Sequence, residues 1–255
     1  MGADMDADLT SGGHGAESAG APAPDWHVVL TGPRAGDQRR EALDFLAVSL
    51  GHRPGTFTVN HHCPRCGAQD HGAPGLAHSA LARRRRGPDA LAGVDEAGTL
   101  PAVSFSRAAG WLATAWVDPV SSGRGWCIGV DLEVTGAPAF ASAEGLGAVA
   151  YSPDESAAVA RCAPAEQPMV RAALWSLKEA VVKARGTGFE GDPSEVLVTA
   201  PGTLVPQIRG NPEAVVVAGE QWPGGPVGEG LTGMLCLLRR EDPGNPSSGW
   251  AVTAR

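Results

Sequence analysis

The sequence predicts an α+β protein built from two units of similar size. Strand-like alternation and helix-like periodicity both occur in each half of the chain instead of segregating into separate blocks. A turn-rich break at Arg124–Cys127 divides them. With 255 residues, 43% of them hydrophobic, the chain can bury a sizeable core in one large domain or two small ones. The expected organisation is a polar tail at 1–24, an N-terminal α+β half at 25–126 and a C-terminal α+β half at 127–255.

Each element has a local reason. The tail is small, polar and rich in Pro and Gly, a composition that cannot offset the entropy of ordering. DWHVVLTG alternates as a first strand. In GDQRREALDFLAVSLG, Ala42, Leu43, Phe45, Leu46 and Leu50 fit one helix face, with Asp37 as N-cap and Gly51 as stop. TFTVNHH is β-rich, and Cys63 to Gly75 reads as a loop. AVSFS and GWLATAWV read as two strands around a turn at Arg107–Ala109. WCIGVDLEV is a strand. YSPDESAAVARC opens a helix, with Ser152 at the N-cap and Pro153 in the first turn. QPMVRAALWSLKEAVVKARG is a helix ended by Gly186. EVLVTA, QIRG, AVVVAGEQW, LTGMLCLLRR and GWAVTAR read as strands of a second sheet.

The formal net charge of −8 argues against a general nucleic-acid binder. The one basic run, Arg83–Arg86, fits a solvated face or a local patch for an anion or an acidic partner. Five cysteines without a regular framework, no apolar leader and no membrane-length run lead us to expect a soluble, cytoplasmic protein.

Two stretches carry chemistry. In the strand CIGVDLEV, Ile128, Val130, Leu132 and Val134 share one face, while Asp131 and Glu133 share the other. Two carboxylates on one face repel unless a cation lies between them, and magnesium suits such oxygen ligands. Taken alone, the pair equally fits an exposed edge strand. In LWSLKEAVVK, Trp175, Lys178, Glu179, Val182 and Lys183 recur at helical spacing. Glu179 and Lys183 fit an ordinary surface ion pair, or a polar stripe lining a partly dry cleft.

Together, in this order and spacing, G-V-D-L-E and W-S-L-K-E-A-V-V-K resemble the motifs of the 4′-phosphopantetheinyl transferase superfamily. The chain length favours its surfactin-synthetase-activating type. YSPDE, CPRCGAQDHGAPGL and GDQRREALDFL are similar to further family segments, so the resemblance runs from about Trp26 to Val217. It implies a monomeric, pseudo-two-fold pair of similar subdomains, each a small, mostly antiparallel sheet packed with helices, with the active site in the cleft between them. The implied reaction moves phosphopantetheine from coenzyme A to a serine of an acyl, peptidyl or aryl carrier protein. It depends on Mg2+ and releases adenosine 3′,5′-bisphosphate.

The implied metal ligands are Asp131, Glu133 and Glu179, and the implied catalytic residues are Glu179, Lys183 and Asp131. Coenzyme A contacts are expected from Arg39, Arg40, His71, Pro74, Ser106, Arg107, Lys178 and Lys183. No nucleic acid or membrane partner is implied.

The chain also departs from the pattern. Ala73 stands where the family has Lys, Arg107 where many members have His, and VTGAPAF follows GVDLE in place of basic residues. A guanidinium at 107 suits a phosphate contact. Two alternatives stay open: a non-catalytic coenzyme A or carrier-protein binder of the same fold, and a zinc loop using His61, His62, Cys63, Cys66 and His71. Carrier docking is expected at Phe140 and the segment after Glu133, or at Arg83–Arg86.

Overall fold

The computed structural model describes residues 24–33, 36–63, 66–70, 72–79, 100–187, 192–199, 206–211, 213–222 and 227–239. Residues 1–23 of the tail, GWAVTAR, His71 and Arg83–Arg86 lie outside them.

In chain order the elements are β1 (Trp26–Thr31), α1 (Gln38–Ser49), β2 (Phe57–His62), β3 (Ala73–His78), β4 (Val103–Ala108), β5 (Trp111–Val117), α2 (Pro119–Gly123) and β6 (Trp126–Val134). Then follow α3 (Leu146–Ala150), α4 (Pro153–Arg161), α5 (Gln167–Arg185), β7 (Val198–Thr199), β8 (Gln207–Ile208), β9 (Val215–Ala218) and β10 (Leu231–Arg239). The architecture is α+β. Its antiparallel sheets run β1-β5-β4, β6-β10-β9, β2-β3 and β7-β8. No described helix is long and apolar enough to cross a membrane.

The expected caps form. Asp37 accepts the Arg40 N–H. Ser152 and Glu155 make a reciprocal capping box, which satisfies two of the orphan donors at the start of α4. Gly186 takes the left-handed conformation that ends α5, with φ of 75°. Three segments differ from expectation. β3 begins at Ala73, inside the predicted loop, and Ala73-Pro74-Gly75 pairs with Asn60–His62. Pro74 is tolerated because, among the described residues, β3 pairs with β2 alone. The expected strand EVLVTA is reduced to β7, preceded by a 3-10 turn at Pro193–Glu195. β7 and β8 form their own two-stranded sheet, apart from β9 and β10.

β6 is the spine of the molecule. Ile128, Val130 and Leu132 pack into one core with Trp26, Val28, Ala113, Ala115 and Val117 from β1 and β5, and with Leu235 and Leu237 from β10. The opposite face of β6 meets α5. Gly129 makes that approach possible, because a Cβ there would collide with the Ala180 carbonyl and stand 2.6 Å from Ala184 N. The helix can therefore lie directly on the strand, with Asp131 beneath it.

Candidate functional site

The site starts from a join between two strands. β4 runs beside β6, and serine hydroxyls on β4 take the place of main-chain acceptors. Val130 N–H donates to Ser104 Oγ at 3.0 Å, and Leu132 N–H donates to Ser106 Oγ at 3.1 Å. Serines two apart on one strand thus meet N–H groups two apart on the next. The arrangement satisfies buried donors that an interrupted ladder would leave orphaned.

Ser106 does more than bridge. Its hydroxyl donates to Asp131 Oδ1 at 2.8 Å. Lys183, descending from α5, places Nζ 2.6 Å from the same oxygen and 3.3 Å from Val130 O. Ser176 Oγ donates to the Asp131 carbonyl at 3.1 Å. Asp131 is buried, and its second oxygen, Oδ2, has no hydrogen-bond partner. Burial pushes the Asp131 carboxyl above its ordinary range, opposed by Lys183 and the two serines.

Two more carboxylates share this environment. Glu133 is pushed up to about 7, first by burial and then by the charges of Asp131 and Glu179, while Lys183 and a hydrogen bond from Trp175 pull the other way. Glu179, one turn before Lys183, is raised by burial and by Asp131, and lowered by Lys183. Three acids are thus massed around one ammonium, with a bare carboxylate oxygen among them. Among the described residues, no three His, Cys, Asp or Glu side chains converge closely enough to hold a metal ion by themselves. An open shell of hard oxygen donors fits magnesium, which takes one or two carboxylates and completes its octahedron with water or phosphate oxygens.

The sequence-predicted residues therefore separate. Asp131, Glu133, Glu179 and Lys183 come together. Lys178 does not join them. Its side chain is 0% exposed, and Nζ lies 2.8 Å from Glu155 Oε2, 3.1 Å from Pro193 O and 2.7 Å from Val196 O. All three of its N–H donors are engaged, so the expected phosphate contact is corrected to a structural one. Helical geometry gives the reason: residues five apart lie about 140° apart around the axis, so Lys178 leaves the face that Glu179 and Lys183 share. The Ser106 hydroxyl turns inward, donating to Asp131 and accepting from Leu132 N–H. Phe140, expected on a docking surface, is 2% exposed and belongs to the interior. Arg171, also buried, donates from Nη1 to the Phe140 carbonyl at 3.0 Å and fixes that turn to α5.

The remaining basic residues gather at α1 and β4. The Arg39 guanidinium lies 4.9 Å from the Phe105 ring centroid. Arg40 is exposed beside the cap. Arg107 is exposed, and its Nη1 donates to Gln38 Oε1 at 2.8 Å. Pro74 pairs with His61 in the β2-β3 hairpin. The neighbouring Ala73 touches the end of α5, its Cβ 3.4 Å from where a side chain on Gly186 would begin. Cys63 and Cys66 flank a turn closed by Gly67 N–H on Cys63 O at 2.8 Å, and neither forms a disulfide. Sequence reasoning missed Ser104, Ser176, Gln38 and the pairing of Glu155 with Lys178. Only Ser104 had a local signal, its two-residue spacing from Ser106 in AVSFS.

Residues 127–223 match the family model described as the 4′-phosphopantetheinyl transferase superfamily. The match covers β6 from its second residue, Cys127, all of α5 and every carboxylate of the cluster. No curated protein matches the chain.

Proposed function

We propose, from the match of residues 127–223 to the 4′-phosphopantetheinyl transferase superfamily, that the chain transfers phosphopantetheine from coenzyme A to a serine of a carrier protein, with magnesium as its metal. The observation that carries this reading is the Asp131–Lys183 pair, held by Ser106 and flanked by Glu133 and Glu179, with all three acids shifted toward the neutral form by burial.

In this reading the metal would take one or two of its oxygen ligands from Asp131, Glu133 and Glu179, and would supply charge neutralisation for the pyrophosphate. Lys183 offers its ammonium to the phosphate oxygens on which charge develops. It is 29% exposed, so it can reach a ligand without leaving Asp131. Glu179, whose carboxylate lies on the helix face it shares with Lys183, is the base in this reading. It takes the proton of the carrier serine as the serine oxygen–phosphorus bond forms. The bond from phosphorus to the bisphosphate leaving group breaks, and adenosine 3′,5′-bisphosphate departs. Arg39, Arg40 and Arg107 form a second basic region for the nucleotide phosphates, and Pro74 on β3 belongs with the same wall; His71 is assigned to coenzyme A by the family resemblance alone. Two similar halves in one monomeric, surfactin-synthetase-activating-type chain, with the cleft between them, complete the reading.

A second reading, a binder without transfer, is favoured by Ala73, which removes one phosphate contact next to the end of α5. The test is the intact mass of apo carrier proteins after incubation with the protein, coenzyme A and magnesium. A gain of one phosphopantetheine, abolished by EDTA, is expected. Coenzyme A binding without mass gain on any of several carriers would select the binder.

A further inference from the structure

We infer that Gln38 is a positioning residue that holds the Arg107 guanidinium as a phosphate receptor. The inference rests on the transferase reading for the identity of the phosphate ligand, but its geometry stands alone.

Gln38 is buried in the first turn of α1, directly after the Asp37 cap. Its Nε2 donates to Gly32 O at 2.7 Å and Gly110 O at 2.7 Å, with Thr31 O at 3.4 Å. Only the NH2 end of an amide can meet carbonyl oxygens, so its orientation is determined. Oε1 must then face the other way, and there it accepts from Arg107 Nη1 at 2.8 Å. One side chain thus clamps the end of β1, the turn between β4 and β5, and the arginine three residues before Gly110. That turn is tight: Ala109 and Gly110 both have positive φ, at 47° and 79°. Arg107 therefore leaves a rigid corner with a fixed direction.

A guanidinium has five N–H donors in a planar fork. The bond to Gln38 uses one, and the exposed remainder is suited to paired hydrogen bonds with phosphate oxygens. Arg39 adds a second guanidinium over Phe105, which lies two residues before Arg107 on the same face of β4. Fixing the fork in advance reduces the conformational entropy lost when an anion binds. Gln38 itself is too deep to touch the ligand.

A double-mutant cycle on the full chain tests this. Coenzyme A affinity is measured by calorimetry for wild type, Gln38→Leu, Arg107→Ala and the double variant. Gln38→Leu is expected to raise Kd roughly tenfold, the scale of a lost hydrogen bond to a charged group. Arg107→Ala should raise it at least as much, and the double variant no further. In steady state, Gln38→Leu should raise KM for coenzyme A while leaving kcat and the carrier KM unchanged. Additive losses, or an unchanged Kd, would overturn the inference. If Gln38→Leu does not fold, Gln38→Asn keeps the amide but withdraws it by one methylene, and is read through the same cycle. If wild type neither binds coenzyme A nor modifies a carrier, the transferase reading fails too. If it does both and the cycle is additive, only the role of Gln38 fails.

Discussion

Lys178 and Glu155 form a fully buried ion pair, Nζ to Oε2 at 2.8 Å, that ties α5 to the start of α4. Glu155 Oε1 also accepts the Val198 N–H at 2.8 Å, and Oε2 accepts the Ser152 N–H at 2.8 Å. The pair therefore joins both helices to β7. Breaking one partner leaves a buried, uncompensated charge, which costs about 3–5 kcal/mol. Lys178→Ala should lower the unfolding free energy by that amount. Replacing both partners together, as Lys178→Met with Glu155→Gln, should cost less than either single change. Chemical denaturation of the three variants checks this, and equal losses would contradict it.

Gly129 sets the distance between β6 and α5. A methyl there meets helix backbone, which cannot rotate away, so the helix must shift. Gly129→Ala should destabilise by about 1–3 kcal/mol or more, the scale of overpacking. Because the shift moves Lys183 relative to Asp131, transferase activity should fall further than the fraction unfolded explains. Activity of the fully folded variant at low temperature separates the two effects.

Ser106→Ala removes the hydroxyl between Asp131, Leu132 N–H and Lys183. The loss should cost about 1–3 kcal/mol, since a buried donor and a buried acceptor lose their partner. It also frees Asp131 to rotate. Magnesium affinity, followed by thermal shift against metal concentration, should weaken along with kcat. A stability loss with unchanged metal affinity would confine Ser106 to a structural role.

Metal-free stability should depend on pH through the carboxylate cluster. Glu133 in the folded chain holds its proton to about 7, against 4.5 unperturbed. Across that window the native state binds more protons than the unfolded state, so stability is full below 4.5, falls as pH rises toward 7, and is flat above. Asp131 and Glu179 are shifted in the same sense. Melting in EDTA should show the decline, and magnesium should reverse it near neutrality by favouring the ionised carboxylates. Glu133→Gln should flatten part of the slope. A wild-type Tm in EDTA that does not fall across this window would contradict the crowding of acids.

What could be read from the sequence follows the range of each signal. Asp37, Ser152 and Gly186 act within one helical turn, and their capping roles were legible. The Asp131–Glu133 face and the Glu179–Lys183 spacing depend only on strand and helix periods, so the cluster was legible as well. Lys178 was not, because its fate depends on Glu155 and Val196 arriving from elsewhere in the chain. Ser106 reads locally as a loop-side hydroxyl next to Arg107, and only the approach of β6 turns it toward Asp131. β3 escaped notice because Pro74 and Gly75 are poor strand residues, admitted here by an edge.

The departure at Ala73 can be tested by gain of function. Its methyl lies against Gly186, one turn past Lys183 at the end of α5. A lysine at 73 would start from this contact and carry its ammonium beyond it, adding positive charge beside the phosphate-binding end of the site. Ala73 is half-buried, which limits the gain from a new charged contact. Ala73→Lys should therefore lower KM for coenzyme A several-fold, below the roughly tenfold worth of a well-shielded charged hydrogen bond. The carrier KM and kcat should stay close to wild type. Raising ionic strength should erase the gain, because a partly exposed charge is screened over about 8–10 Å. An unchanged KM at low salt would show that the β2-β3 hairpin does not border the coenzyme A phosphates in this chain, and would move that wall to Arg39 and Arg107 alone.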